Sequence, residues 1–151
     1  MKILAVGDIV GKTGIQMLKN HLPRLLKKYD IDFVIVNAEN AAEGMGLLEK
    51  QYKDILSVGT DIVTMGNHTW AKKDIFKFID SERLIRPINY SKNNPGKGYV
   101  IVEAKGKKIA VINAIGRASM NVLSDNPFTA LKNIVEKIKD TVDMIFIDTS
   151  V

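Results

Sequence analysis

Three short apolar runs, Lys2 to Val6, Phe33 to Asn37 and Asp61 to Met65, do most to limit what this chain can fold into. Each is rich in Ile and Val, lacks a polar face, and is followed at once by Gly or polar residues. A strand without a polar face must be covered on both sides, as central strands of parallel sheets are. The intervening segments carry apolar residues at helical spacing: Ile15, Leu18, Leu22, Leu25 and Leu26 in the first, Leu47, Leu48, Tyr52, Ile55 and Leu56 in the second. Parallel neighbours need crossovers, so these segments predict the helices of βαβ units.

Further along, a third helix is predicted over Trp70 to Asp80, with Thr69 as its cap and Ile75, Phe76 and Ile79 facing inward. Residues 86 to 98 are dense in turn formers and read as a long loop, which in a compact domain is more often functional than idle. Strands are expected at Tyr99 to Glu103 and Lys108 to Asn113, joined by a turn at Gly106. A fourth helix should open at Asp125 or Asn126 with Pro127 in its first turn, burying Leu131, Ile134, Val135 and Ile138. Met144 to Asp148 is the last expected strand. With no repeat or linker, residues 1 to 151 read as one α/β domain. The run Met144-Ile145-Phe146-Ile147, expected at a sheet edge, predicts self-association into a homo-oligomer.

Composition narrows the function classes. A chain of 151 residues with 46% hydrophobic content can bury a real core. Having no cysteine, it cannot be a disulfide scaffold, a thiolate zinc site, an iron–sulfur protein or a Cys-nucleophile enzyme. No apolar run approaches the roughly 18 residues of a membrane span. Asp8 interrupts the N-terminal apolar stretch where a signal peptide would continue, so the expected address is cytoplasmic. The net charge of +5 favours anionic ligands weakly, and no basic block is long enough to argue for nucleic-acid binding.

In open parallel sheets ligands bind beyond the carboxyl ends of the strands. Those ends deliver Gly7-Asp8, Ala38-Glu39-Asn40, Gly66-Asn67-His68 and, from the hairpin, Asn113. Carboxylates, amides and an imidazole are oxygen and nitrogen donors suited to divalent Mn, Fe or Zn, and a carboxylate between two ions can bridge them. Singly, each has a plainer reading: Asp8 as a turn residue, Glu39-Asn40 as part of a loop, Asn67-His68 as the opening of the third helix. Their coincidence at one rim predicts a site. The segment Gly7 to Thr13 is not a phosphate-binding loop, because Val6 stands where that motif requires its first Gly and Asp8 would repel the ligand. Lys12 and Thr13 are expected to open a helix instead. His21 is read as structural, Lys105, Lys107 and Lys108 as a solvated hairpin edge, and Trp70 as either core or site wall.

Together Gly7-Asp8-Ile9-Val10-Gly11, Asn37-Ala38-Glu39-Asn40-Ala41 and Gly66-Asn67-His68-Thr69-Trp70 resemble the first three motifs of calcineurin-like metallophosphoesterases, specifically the YmdB-like branch. Arg86 to Tyr90, Asn113 to Arg117 and Asp125 to Phe128 extend the resemblance over essentially the whole chain. It implies the N-terminal part of an α/β/β/α sandwich, with mostly parallel central strands plus a hairpin. It also implies a metal-dependent phosphoesterase that hydrolyses phosphodiesters such as cyclic nucleotides, with two divalent ions, Fe or Mn. By position, Asp8 and Asn40 would bind the first metal, Glu39 would bridge both, Asn67 would bind the second, and His68 would donate a proton to the leaving oxygen.

The family's last strand runs into a His-bearing segment, and a later Thr-His-Thr-His element supplies two further ligands. Here Ser150 stands at the first of those histidines. The expectation is therefore a chain lacking the C-terminal part of the family fold, with incomplete metal occupancy and impaired turnover. The alternative is a non-catalytic remnant that binds an anion or a partner through Arg86, Asn89, Tyr90, Lys92 and Lys97.

Overall fold

The computed structural model describes residues 1–118 and 122–150. The predicted βαβ pattern is present as β1 (Ile3–Val6), α1 (Gly11–Tyr29), β2 (Phe33–Asn37), α2 (Glu49–Ser57) and β3 (Ile62–Thr64). A two-residue strand, β4 (Leu84–Ile85), completes a parallel sheet of order β1-β2-β3-β4. Because strand order follows chain order and such crossovers are right-handed, both helices fall on one face. There Ile15, Leu18 and Leu22 of α1 and Tyr52 and Ile55 of α2 pack on Val34, Val36 and Val63.

The second sheet is β5 (Tyr99–Ala104), β6 (Lys107–Ile115) and β7 (Met144–Ser150), with β5 antiparallel and β7 parallel to β6. Lys105 and Gly106, with φ of 51° and 70°, make the tight hairpin turn that the glycine predicts. α3 (Pro127–Ile138) crosses from β6 to β7. Asn126 is its cap, its Oδ1 accepting from the backbone N–H of Phe128 and Thr129. Ile134 and Ile138 pack on Ala110 and Ile112.

The sheets stack through Phe33, Ile35, Ile62 and Ile85 on one side and Val100, Ile109 and Val111 on the other. The result is the expected α/β/β/α sandwich. Strand alternation explains it: odd positions of β2 and β6 face the other sheet while even positions face helices. β7 lies at the edge of its sheet, where Met144 and Ile147 are exposed.

Two expectations change. Residues 70 to 80 form no α-helix, only a 3₁₀ turn at Lys73–Lys77. Thr69 is no cap: its hydroxyl donates back to the Gly66 carbonyl at 2.6 Å, closing a turn that would have to open for a helix to begin. Ile75 and Ile79 are buried as predicted, but Phe76 is 56% exposed and stacks on Trp70. β4 escapes detection because two residues carry no periodicity. His21 is exposed on α1.

Ile109 is fully buried between the sheets. Ile109→Ala should lower unfolding free energy by about 2–5 kcal/mol. Ile147→Ala on the exposed edge should cost less than about 1 kcal/mol, as chemical denaturation of the two variants would show.

Candidate functional site

At the carboxyl end of the first sheet, β2 runs directly into a tight turn. Gly46 N–H donates to the Glu39 carbonyl at 2.5 Å and Gly44 N–H to the Asn40 carbonyl at 3.1 Å. The β1–α1 loop is pinned against this turn, with Ile9 N–H on the Asn37 carbonyl at 3.2 Å and Gly11 N–H on the Asn40 carbonyl at 3.0 Å. Asp8 is thereby carried beside Glu39 and Asn40. The loop after β3 closes the group: His68 N–H donates to Glu39 Oε2 at 3.0 Å, and His68 Nδ1 lies 2.7 Å from Asn40 Oδ1.

A cleft of about 500 Å³ results, lined by Gly7, Asp8, Asn37, Glu39, Asn40, Asn67, Asp148, Thr149 and Ser150. Asp8, Glu39, Asn40 and Asn67 all lie on it as the sequence predicts, and His68, outside its lining, is hydrogen-bonded to Glu39 and Asn40. Asn113 belongs to the floor: it is fully buried, and its amide reaches Asp148 Oδ2 at 3.4 Å.

Glu39 is only 3% exposed, yet its carboxylate meets neutral partners, the His68 N–H and, on Oε1, the Ser150 hydroxyl at 2.9 Å. Gly66 is what lets it sit there, since a Cβ at that position would overlap the carboxylate. Three carboxylates (Asp8, Glu39 and Asp148) and no Lys or Arg line the cleft, so in a chain of net charge +5 this is a locally negative concavity. Among the described residues no group of three or more His, Asp or Glu side chains is gathered closely enough to hold a metal by itself. The donors joining Glu39 are the amides Asn40 and Asn67. Carboxylate and amide oxygens are hard donors, so the set fits a divalent cation.

Asp148 is the residue that sequence reasoning missed. It lies within β7, two residues before the strand ends, and its role is visible only when the second sheet is laid on the first. Its Oδ2 accepts from Asn37 at 3.1 Å and from the Thr64 hydroxyl at 2.5 Å.

Part of the long loop is structural. Arg86, 5% exposed, spends its guanidinium on the carbonyls of Pro87, Asn94 and Pro95. Asn89 is fully buried, donating to the carbonyls of Ile115 and Asp125 and accepting from Ile115 N–H. Neither is free to seat an anion. Tyr90 is buried under the site, its hydroxyl donating to the Gly66 carbonyl at 3.3 Å and its ring tilted against Trp70, which walls this loop.

The YmdB-like protein family matches residues 4–151. The chain belongs to that family. A 2′,3′-cyclic-nucleotide 2′-phosphodiesterase of Bacillus subtilis (strain 168) is 46% identical over 149 residues, 98% of this chain and 56% of that protein. A phosphatase of Mycoplasma pneumoniae has the same fold at a TM-score of 0.91 and 36% identity, over 99% of this chain and 54% of that one. A hypothetical protein from Thermus thermophilus aligns at a TM-score of 0.89 and 35% identity, over 99% of this chain and 57% of its own. This YmdB-like chain thus spans a little over half the length of these relatives.

Burial, and secondarily the Glu39 charge, push the Tyr90 phenol up to about 12. A phenol that stays protonated longer in the folded state makes stability fall as pH rises from about 10, where unfolded tyrosine ionises, to about 12. Tyr52, raised by burial, adds to the same decline. Unfolding measured across that range should show a shallower decline in Tyr90→Phe than in the parent.

Proposed function

We propose that this YmdB-like chain carries a metal-dependent phosphodiesterase site acting on phosphodiesters of the cyclic-nucleotide kind. The observation that carries the reading is the cleft itself: Glu39 buried without a cationic side chain, beside Asp8, Asn40 and Asn67, in a fold shared with a cyclic-nucleotide phosphodiesterase and a phosphatase. Asp8 and Asn40 would hold one divalent ion and Asn67 a second, with Glu39 between them, and Mn or Fe is the metal proposed. When bound, such ions neutralise phosphoryl charge and lower the pKa of a bound water.

The chain's own contribution is positional and protic. With the Nδ1 hydrogen of His68 given to Asn40 Oδ1, Nε2 is the ring position left to exchange a proton with a bound ester. The Ser150 hydroxyl and the His68 N–H fix both oxygens of Glu39, so its carboxylate is oriented from two sides. The anion- or partner-binding alternative loses Arg86 and Asn89, which are committed internally, and keeps only the exposed Lys92 and Lys97 of its basic loop residues. For the assembled protein we infer a cytoplasmic homo-oligomer, the exposed β7 edge supplying a surface on which copies can pair.

Protein loaded with Mn should bind metal that Glu39→Ala loses, as elemental analysis would measure; equal content in both would end the reading. Hydrolysis of 2′,3′-cAMP or a nitrophenyl phosphodiester should fall about 10²- to 10⁴-fold in His68→Ala. Ser150→His, which places a nitrogen donor beside Glu39, should tighten Mn binding in a calorimetric titration.

A further inference from the structure

We propose that Asp148 is a positioning residue for Glu39, acting through the side-chain amide of Asn37. The inward face of four strands near the rim changes from apolar to polar at one level: Asn37 on β2, Thr64 on β3, Asn113 on β6 and Asp148 on β7. Donors from the other three strands converge on Asp148 Oδ2, at 3.1 Å from Asn37, 2.5 Å from Thr64 and 3.4 Å from Asn113. None of the ion pairs among the described residues involves Asp148. Its carboxylate is held by neutral donors alone.

That acceptor decides which way the Asn37 amide points. Asn37 Nδ2 donates to Asp148 and, at 3.3 Å, to the Met65 carbonyl, which turns Oδ1 onto the Glu39 N–H at 3.2 Å. The flipped amide would set its oxygen against a carboxylate and a carbonyl, and its NH₂ against an N–H donor. Two residues beyond Asp148, on the same face of β7, Ser150 holds Glu39 Oε1. One strand of the second sheet therefore controls Glu39 at both ends: the backbone through Asn37 and the carboxylate directly. The relay is a property of the metal-free protein. Only its consequence for cation binding rests on the functional reading above.

The test uses the full chain without metal, labelled for NMR, as wild type and as Asp148→Asn, whose side chain keeps the shape but loses the charge. Expected are displaced Asn37 side-chain amide resonances and faster hydrogen exchange at Glu39 N–H, with exchange in the middle of β2 unchanged. Unchanged exchange at Glu39 would overturn the relay. If Asp148→Asn does not fold, Asn37→Ser cuts the same link and must speed Glu39 exchange, or the proposal fails. Calorimetric titration with Mn should then show affinity about tenfold or more weaker in Asp148→Asn and in Asn37→Ser. The double variant should be no weaker than either single one, whereas additive losses would mean that Asp148 touches the ion itself and would overturn the positioning role. A wild type that takes up no Mn would refute the functional reading, with Glu39 exchange still deciding the relay.

Discussion

The stacking of two sheets through Ile35, Ile62, Ile109 and Val111 sets the height at which every strand end meets the rim. Below that level the gap between the sheets is filled by aliphatic and aromatic side chains. At it, polar side chains from both sheets take over within a single residue step. Without the apolar contact, Asp148 could not reach Thr64 or Asn37, and Glu39 would lose the hydroxyl of Ser150. The chemistry at the rim thus depends on the packing underneath. Interdigitated side chains hold backbones to within fractions of an ångström, and a site built from short polar residues needs that spacing.

A buried carboxylate without a cationic partner is costly, and hydrogen bonds to a charged group return only about 1.5–3 kcal/mol each. Glu39 is maintained in that condition by a glycine that makes room for it and by donors that carry no charge. Such an arrangement favours an incoming cation over an internal salt bridge. It also explains why a chain with a basic excess keeps its lysines and arginines off this cleft while placing them over the rest of its surface.

Much of this was legible in the residues. Runs apolar on both faces, such as Phe33 to Val36, can only be central strands, and the strand-end rule then locates Asp8, Glu39, Asn40, Asn67 and His68 without any structure. Asp148 was not legible, because its partners lie in the other sheet and nothing local in Ile147-Asp148-Thr149 distinguishes a site residue from an edge-strand polar residue. The third helix misled for a physical reason. Ile75 and Ile79 have helical spacing, but the Thr69 hydroxyl and the turn at Gly66 compete for the backbone where the helix would start. The loop from Arg86 to Lys97 misled in the opposite way, because Arg86 and Asn89 turn inward to satisfy carbonyls while Ser91, Lys92, Asn93 and Lys97 stay exposed.

The edge strand also fixes when the site comes into being. The bonds from Asn37 to Asp148 and from Ser150 to Glu39 each join residues 111 positions apart. Contacts of such separation form late, after the local βαβ units, because the loop they close is large. A chain folded only as far as the first sheet therefore holds one Glu39 oxygen on the His68 N–H, while the other still lacks the Ser150 hydroxyl. Until β7 docks, the second oxygen of Glu39 and the amide of Asn37 both lack the partners that orient them.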